Sequence, residues 1–165
     1  MHMFRLAIAA PLLTIAATPL ASASTQAQVD PLRFFEGRTE TQGTVKVMFH
    51  KPYRTRSVGS GRIEPDGTLT LVQRVEDEGK PPHERRWRVQ RTGPDQFRAF
   101  MTEAVGPVMI DKVGDAYRFR FKLKGNLNAE QMLTPLPGGR SARNSVKVKR
   151  MGITVATTDG TIRKI

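Results

Sequence analysis

The side chains that could do chemistry in this chain are few, and their spacing does not assemble a catalytic set. His50 and His83 each stand beside a turn, and no H-x-x-H or H-E-x-x-H pattern puts two imidazoles on one helix face for a metal. There is no cysteine, which excludes disulfides, thiol nucleophiles and cysteine-ligated zinc or iron–sulfur centres. Asp66, Asp77, Asp95, Asp115 and Asp159 all fall in turn contexts, where a carboxylate caps backbone N–H groups. Glu103 and Asp111 differ, because they fall in strand-like runs with apolar neighbours and could point into an interior, free or paired with an arginine. No G-x-S-x-G, Walker loop or dinucleotide fingerprint occurs. With no nucleophile–base pair, no paired acids and no metal cluster, the expectation is no catalytic residue, no metal site and no cofactor.

Two other constellations remain. Phe49, Trp87, Phe97, Met101, Phe119 and Phe121 each alternate with polar residues, so each belongs to the inner face of a strand. With Glu103, the set Trp87, Phe97, Met101, Phe119 and Phe121 is the candidate lining of an interior ligand site. The second constellation is basic. Arg118, Arg120, Lys122 and Lys124 alternate with Tyr117, Phe119, Phe121 and Leu123, and Lys147 and Lys149 alternate with Val146 and Val148. If those two strands are neighbours, the six charges form one outer patch suited to an anionic membrane surface or an acidic partner. The aromatics lie on the opposite face, which argues against base stacking and so against nucleic acid.

The elements that position these residues read as strands. Asp30-Pro31 starts a short helical turn that Gly37 ends, with Leu32, Phe34 and Phe35 directed inward. After Gly37 the periodicity becomes two, beginning with Val45, Val47 and Phe49. Asp66-Gly67, the 77–82 segment DEGKPP, Gly93-Pro94-Asp95, Gly114-Asp115, the 135–139 segment PLPGG and Asp159-Gly160 mark turns. Strand-like runs between turns, with no long amphipathic helix, exclude a parallel β-α-β architecture. They predict an all-β antiparallel meander, either closed as an up-and-down barrel or split as a sandwich, with a short N-terminal helical turn.

Arg5, the uncharged apolar stretch Leu6 to Ala17 and the small residues Ala21 and Ala23 have the order of a secretory signal peptide cleaved near Ala23. This divides the chain into a signal peptide over 1–23, a flexible segment over 24–29 and one domain over 30–165. The mature protein is expected in the periplasm or secreted, and without cysteine it is not lipidated. The chain carries 27 basic against 15 acidic residues, a net charge of +12. That excess either attracts anionic partners or serves solubility.

The motifs resemble, in order over Leu32 to Ile165, an uncharacterised family of bacterial lipocalin-like envelope proteins and lipoproteins. Phe34-Phe35-Glu36-Gly37 is similar to its F-F-x-G opening, and Asp66-Gly67-Thr68-Leu69-Thr70-Leu71 to its second-hairpin motif. Arg86-Trp87 is similar to its R-W element. Glu103, Gly106, Gly114, Ala116, Phe119 and Phe121 follow its central stretch, and Asn144 to Ile153 its N-R-x-x-M-x-K-F-G close. The chain departs from many relatives in lacking the lipidated cysteine and in reading Ala129-Glu130-Gln131-Met132-Leu133 where they have D-D-W-M. The resemblance implies a lipocalin-like barrel in the cell envelope and brings no activity with it.

These observations predict a non-enzymatic, monomeric periplasmic barrel that binds an apolar or amphipathic small molecule, such as a lipid, in envelope maintenance. An interaction protein that docks its basic face is the first alternative, and an enzyme of unknown class is the second.

Overall fold

The structure, a computed structural model, describes residues 30–165. The expected signal peptide, its cleavage near Ala23 and the 24–29 segment lie outside the described residues.

Asp30 and Pro31 start the helical turn α1 (Pro31–Phe35). The Asp30 carboxylate accepts from the Leu32 N–H at 2.9 Å, and Pro31 sits in the first turn, where a missing N–H costs nothing. Gly37, at φ +85°, turns the chain out of the helix and into the sheet.

From there the chain is strand: β1 (Gly37–Val47), β2 (Tyr53–Ile63), β3 (Leu69–Asp77), β4 (His83–Gly93), β5 (Gln96–Met101), β6 (Val108–Val113), β7 (Ala116–Leu123), β8 (Leu127–Pro135), β9 (Ser141–Arg150) and β10 (Ile153–Lys164). Each strand pairs antiparallel with the next, and β1 pairs with β10, so ten strands close a barrel in sequence order. Closure satisfies every ladder and leaves no open edge. This is the expected all-β, lipocalin-like meander with its N-terminal helical turn.

The helix covers one end. Leu32 and Phe34 join Leu69, Val89, Phe97, Ile110, Tyr117, Leu133 and Ile162 in a single packed core. Gly61 of β2 is what admits α1, because a Cβ there would run into the Phe35 carbonyl. Across the seam between first and last strands, Glu40 of β1 is buried beneath two arginines on flanking strands. Arg56 of β2 donates to it through Nε at 2.7 Å, and Arg163 of β10 through Nε at 2.9 Å. Those two guanidinium partners hold the Glu40 carboxyl down at about 2.

Three sequence expectations are corrected. Asp159-Gly160 is not a turn: both residues lie inside β10, and the β9–β10 turn is Met151-Gly152, both at positive φ. Gly160 faces Gly43 in register, and a Cβ at 160 would strike the Gln42 backbone, so this glycine serves close strand approach. Phe49 does not face the interior; β1 stops at Val47, and Phe49 sits in the β1–β2 turn at φ +65°, 96% exposed. Asp111 of β6 points outward, since its neighbour Ile110 takes the inner face.

Candidate functional site

Above the packed floor the barrel is hollow. A cavity of about 600 Å³ opens at the end away from α1, among the inner faces of the strands. The void remaining on the helix side, between Leu32, Phe97 and Phe119, is only about 20 Å³, room for a single water at most. Leu69, Val89, Phe35 and Phe119 line both spaces and so form the partition between floor and cavity.

The hollow follows from side-chain size on the inner faces. β2 presents Thr55, Ser57 and Gly59 inward, and β10 presents Ala156 and Thr158 after a bulge at Val155 that resets its alternation. Across the barrel from them stand the large residues: Trp87 of β4, Met101 of β5, and Phe119 and Phe121 of β7. Small against small would have collapsed the barrel, and large against large would have filled it. Small against large leaves one apolar chamber.

Polar groups inside the chamber are mostly paired with one another. The Trp87 indole N–H donates to Gln73 Oε1 at 3.0 Å, and the ring meets Phe119 edge-on at 6.3 Å. On the far wall Gln131 Nε2 donates to Asn144 Oδ1 at 2.7 Å. The mouth is different. Glu103, in the turn after β5, takes Arg85 Nε on its Oε1 at 2.7 Å, with His83 Nε2 at 3.4 Å. Its second oxygen, Oε2, is sealed from solvent and has no hydrogen-bond partner among the described residues. A shielded carboxylate oxygen left this way is costly unless something donates to it. Beside this cluster Lys80 donates to the Tyr53 hydroxyl at 2.9 Å and lies over its ring, which raises the lysine pKa.

Of the interior candidates read from the sequence, Trp87, Met101, Glu103, Phe119 and Phe121 line the chamber. Phe97 does not. It is 1% exposed in the floor, edge-on to Tyr117 at 6.1 Å, because β5 enters the barrel from the helix end. Alternation gives the face of a strand, and only the barrel gives its depth. Sequence reasoning missed Gln73, Arg85, Gln131 and Asn144. Arg85 carried a legible signal, being two residues before Trp87 and hence on the same face.

The basic constellation is dismantled. Its two strands are not neighbours, for β8 lies between β7 and β9 and sets Glu130 in register between Arg120 and Lys147. Arg118 and Arg120 both pair with Asp111, at 2.6 and 3.2 Å, and the Asp111 carboxylate raises the Arg118 pKa. Lys122 and Lys149 point outward, flanking Asn128, and Lys124 belongs to the β7–β8 turn. Among the described residues no group of three or more acidic or histidine side chains converges in a way that could hold a metal ion.

The chain belongs to the family described as Protein of unknown function (DUF3833), whose model matches residues 12–164. That agrees with the uncharacterised lipocalin-like family that the motifs resemble. No curated protein matches the chain. Among solved structures it is similar to an S-type phycobiliprotein lyase, CPES, from Guillardia theta. The TM-score is 0.62 at 7% identity, over 81% of this chain and 90% of that one. Two further barrels align with lower scores. EF1p2_mFAP2b bound to DFHBI has a TM-score of 0.44 at 10% identity, over 86% and 100% of the two chains. The redesigned barrel b11L5F_LGL has 0.42 at 13% identity, over 86% and 99%. At these identities the likeness to the lyase is one of fold alone.

Proposed function

We propose that this protein is an exported binding barrel that holds one amphipathic small molecule, a lipid or lipid-like compound, in the service of the cell envelope. The chamber carries this reading. Its volume of about 600 Å³ falls within the range of small-molecule sites, and Leu71, Trp87, Phe119 and Phe121 make it mainly apolar. The tail of the ligand lies among those side chains. Its polar end meets Arg85 and Glu103, which line the chamber at its mouth. Export rests on the residues of the 1–23 segment, and fractionation of cells into periplasm and cytoplasm tests it separately.

The expected affinity is modest. At about 30 Å³ per water, the 600 Å³ chamber holds roughly 20 waters, and a ligand of about 20 heavy atoms displaces them. At about 0.3 kcal/mol per atom the gain is about 6 kcal/mol, a Kd on the order of tens of micromolar. Trp87 is the single tryptophan and lines the chamber, so its emission reports occupancy. Titration with a monoacylglycerol should shift and quench Trp87 emission, and native mass spectrometry of protein taken from periplasm should find a retained small molecule. Unchanged emission up to millimolar ligand, with no adduct in the native spectrum, would overturn the proposal.

A further inference from the structure

At the mouth of the barrel two adjacent hairpin tips hold large apolar side chains in full solvent. Phe49, in the β1–β2 turn, is 96% exposed, and Met151, in the β9–β10 turn, is 86% exposed. Ile153 follows at 62%. The tips are neighbours because β1 pairs with β10, and the Met48 N–H donates to the Val155 carbonyl at 2.9 Å. Both Phe49 and Met151 have positive φ, at 65° and 49°. Such positions favour glycine or asparagine, and a bulky apolar residue there is strained in backbone and unfavourable in hydration. Neither side chain contributes to the core, so folding does not account for the choice.

Charge around the mouth is divided. On the β2–β5 side, Glu76, Asp77 and Glu103 are paired with arginine, lysine or histidine. On the side of the exposed tips stand Lys46, Lys51, Lys122, Lys124, Lys149 and Arg150. All six are exposed, and among the described residues none makes an ion pair. The inner wall along this same stretch of rim is apolar, with Val47, Leu123, Leu127 and Val155 lining the chamber. Apolar surface therefore runs from the chamber over the rim to the tips, within a ring of unpaired cations.

We propose that this rim docks on an anionic phospholipid bilayer, with Phe49, Met151 and Ile153 inserted at the headgroup level and the six cations over the phosphates. An aromatic and two aliphatic side chains amid lysines match the chemistry of a membrane interface, apolar beneath and anionic at the surface. Docked in this way, the mouth of the chamber faces the lipid. The contact itself does not require the chamber to hold a ligand, so it stands or falls apart from the binding reading above.

The test is flotation of the full protein with vesicles of phosphatidylcholine alone and with about a third phosphatidylglycerol, at low and high salt. Wild type should float only with the phosphatidylglycerol vesicles and at low salt. The double variant Phe49→Asn/Met151→Asn suits the positive φ of both turns, so it should fold at least as well and yet lose flotation about tenfold or more. Each of Lys122, Lys124, Lys149 and Arg150 changed to Gln should weaken partitioning about fivefold. Unchanged flotation of the double variant, or no flotation of wild type, overturns the proposal. So does a loss that follows Arg118→Gln/Arg120→Gln instead of the rim variants. Phe49→Trp with Trp87→Phe provides a second readout, an emission that shifts to the blue only on anionic vesicles.

Discussion

Phe97 and Trp87 belong to adjacent strands and both face inward, yet truncating them should have different consequences. Phe97 sits in the floor at 1% exposure, edge-on to Tyr117 and with the Arg91 guanidinium 4.6 Å above its ring. Phe97→Ala loses about 2 kcal/mol of transfer free energy. It also leaves a void of roughly 100 Å³ in a floor that has almost no spare volume, worth about 2 kcal/mol at ~24 cal/mol per Å³. Losing the ring contact with Tyr117 adds about 0.5–1 kcal/mol, for a total of about 4–5 kcal/mol. Trp87 instead borders a chamber that already exists, so its truncation enlarges a hollow without opening a new one. Trp87→Ala should cost about 1–2 kcal/mol of stability, mainly the Phe119 contact and the freed Gln73 amide. It should weaken ligand binding by about tenfold, because a ring that lines the chamber is gone. Urea unfolding followed by far-UV circular dichroism gives both stabilities, and equal m-values validate the comparison. Equal losses in the two variants would refute the division into packed floor and open chamber. A loss below about 2 kcal/mol for Phe97→Ala would show that the floor is not packed as described.

Other outcomes follow from the seam. Glu40 titrates at about 2 in the folded protein against 4.5 ordinarily, so its contribution to stability is present above pH 4.5 and is lost as pH falls toward 2. Glu40→Gln should lower the melting temperature at pH 7, and the curves of the two proteins should converge between pH 4.5 and 2; parallel curves across that range would argue against it. Gly160→Ala should destabilise by about 1–3 kcal/mol, since the new Cβ meets Gln42 and Gly43 backbone that cannot step aside. Stability within about 0.5 kcal/mol of wild type would mean that the seam is looser than its register implies.

The fold was largely legible because alternation is a local property. Tyr117 to Leu123 and Val146 to Lys149 announce their inner and outer faces from spacing alone, and Asp30-Pro31 and Asp66-Gly67 announce a helix start and a hairpin by the backbone groups they satisfy. β2 and β8 were hidden. Their inner faces carry Ser57, Gly59, Gly61, Ala129 and Gln131, too small or too polar to register as an apolar stripe. Gly160 misled because a glycine for close approach and a glycine for a turn look alike until the partner strand is known.

The sequence by itself determined which side of the clearly alternating strands, such as β7 and β9, meets the interior, that the domain is β after one short helical turn, and that no cysteine chemistry is encoded. Depth and neighbourhood were decided by the barrel. Register alone separates Phe97 in the floor from Phe119 and Trp87 at the chamber, and brings Arg85 and His83 onto Glu103 at the mouth. Strand order alone puts Glu130 between two cations, and Phe49 beside the Met151 turn more than a hundred residues away. The physical reason is that the period of two fixes a direction perpendicular to the sheet, while position along the barrel and around it depends on pairing between segments remote in sequence.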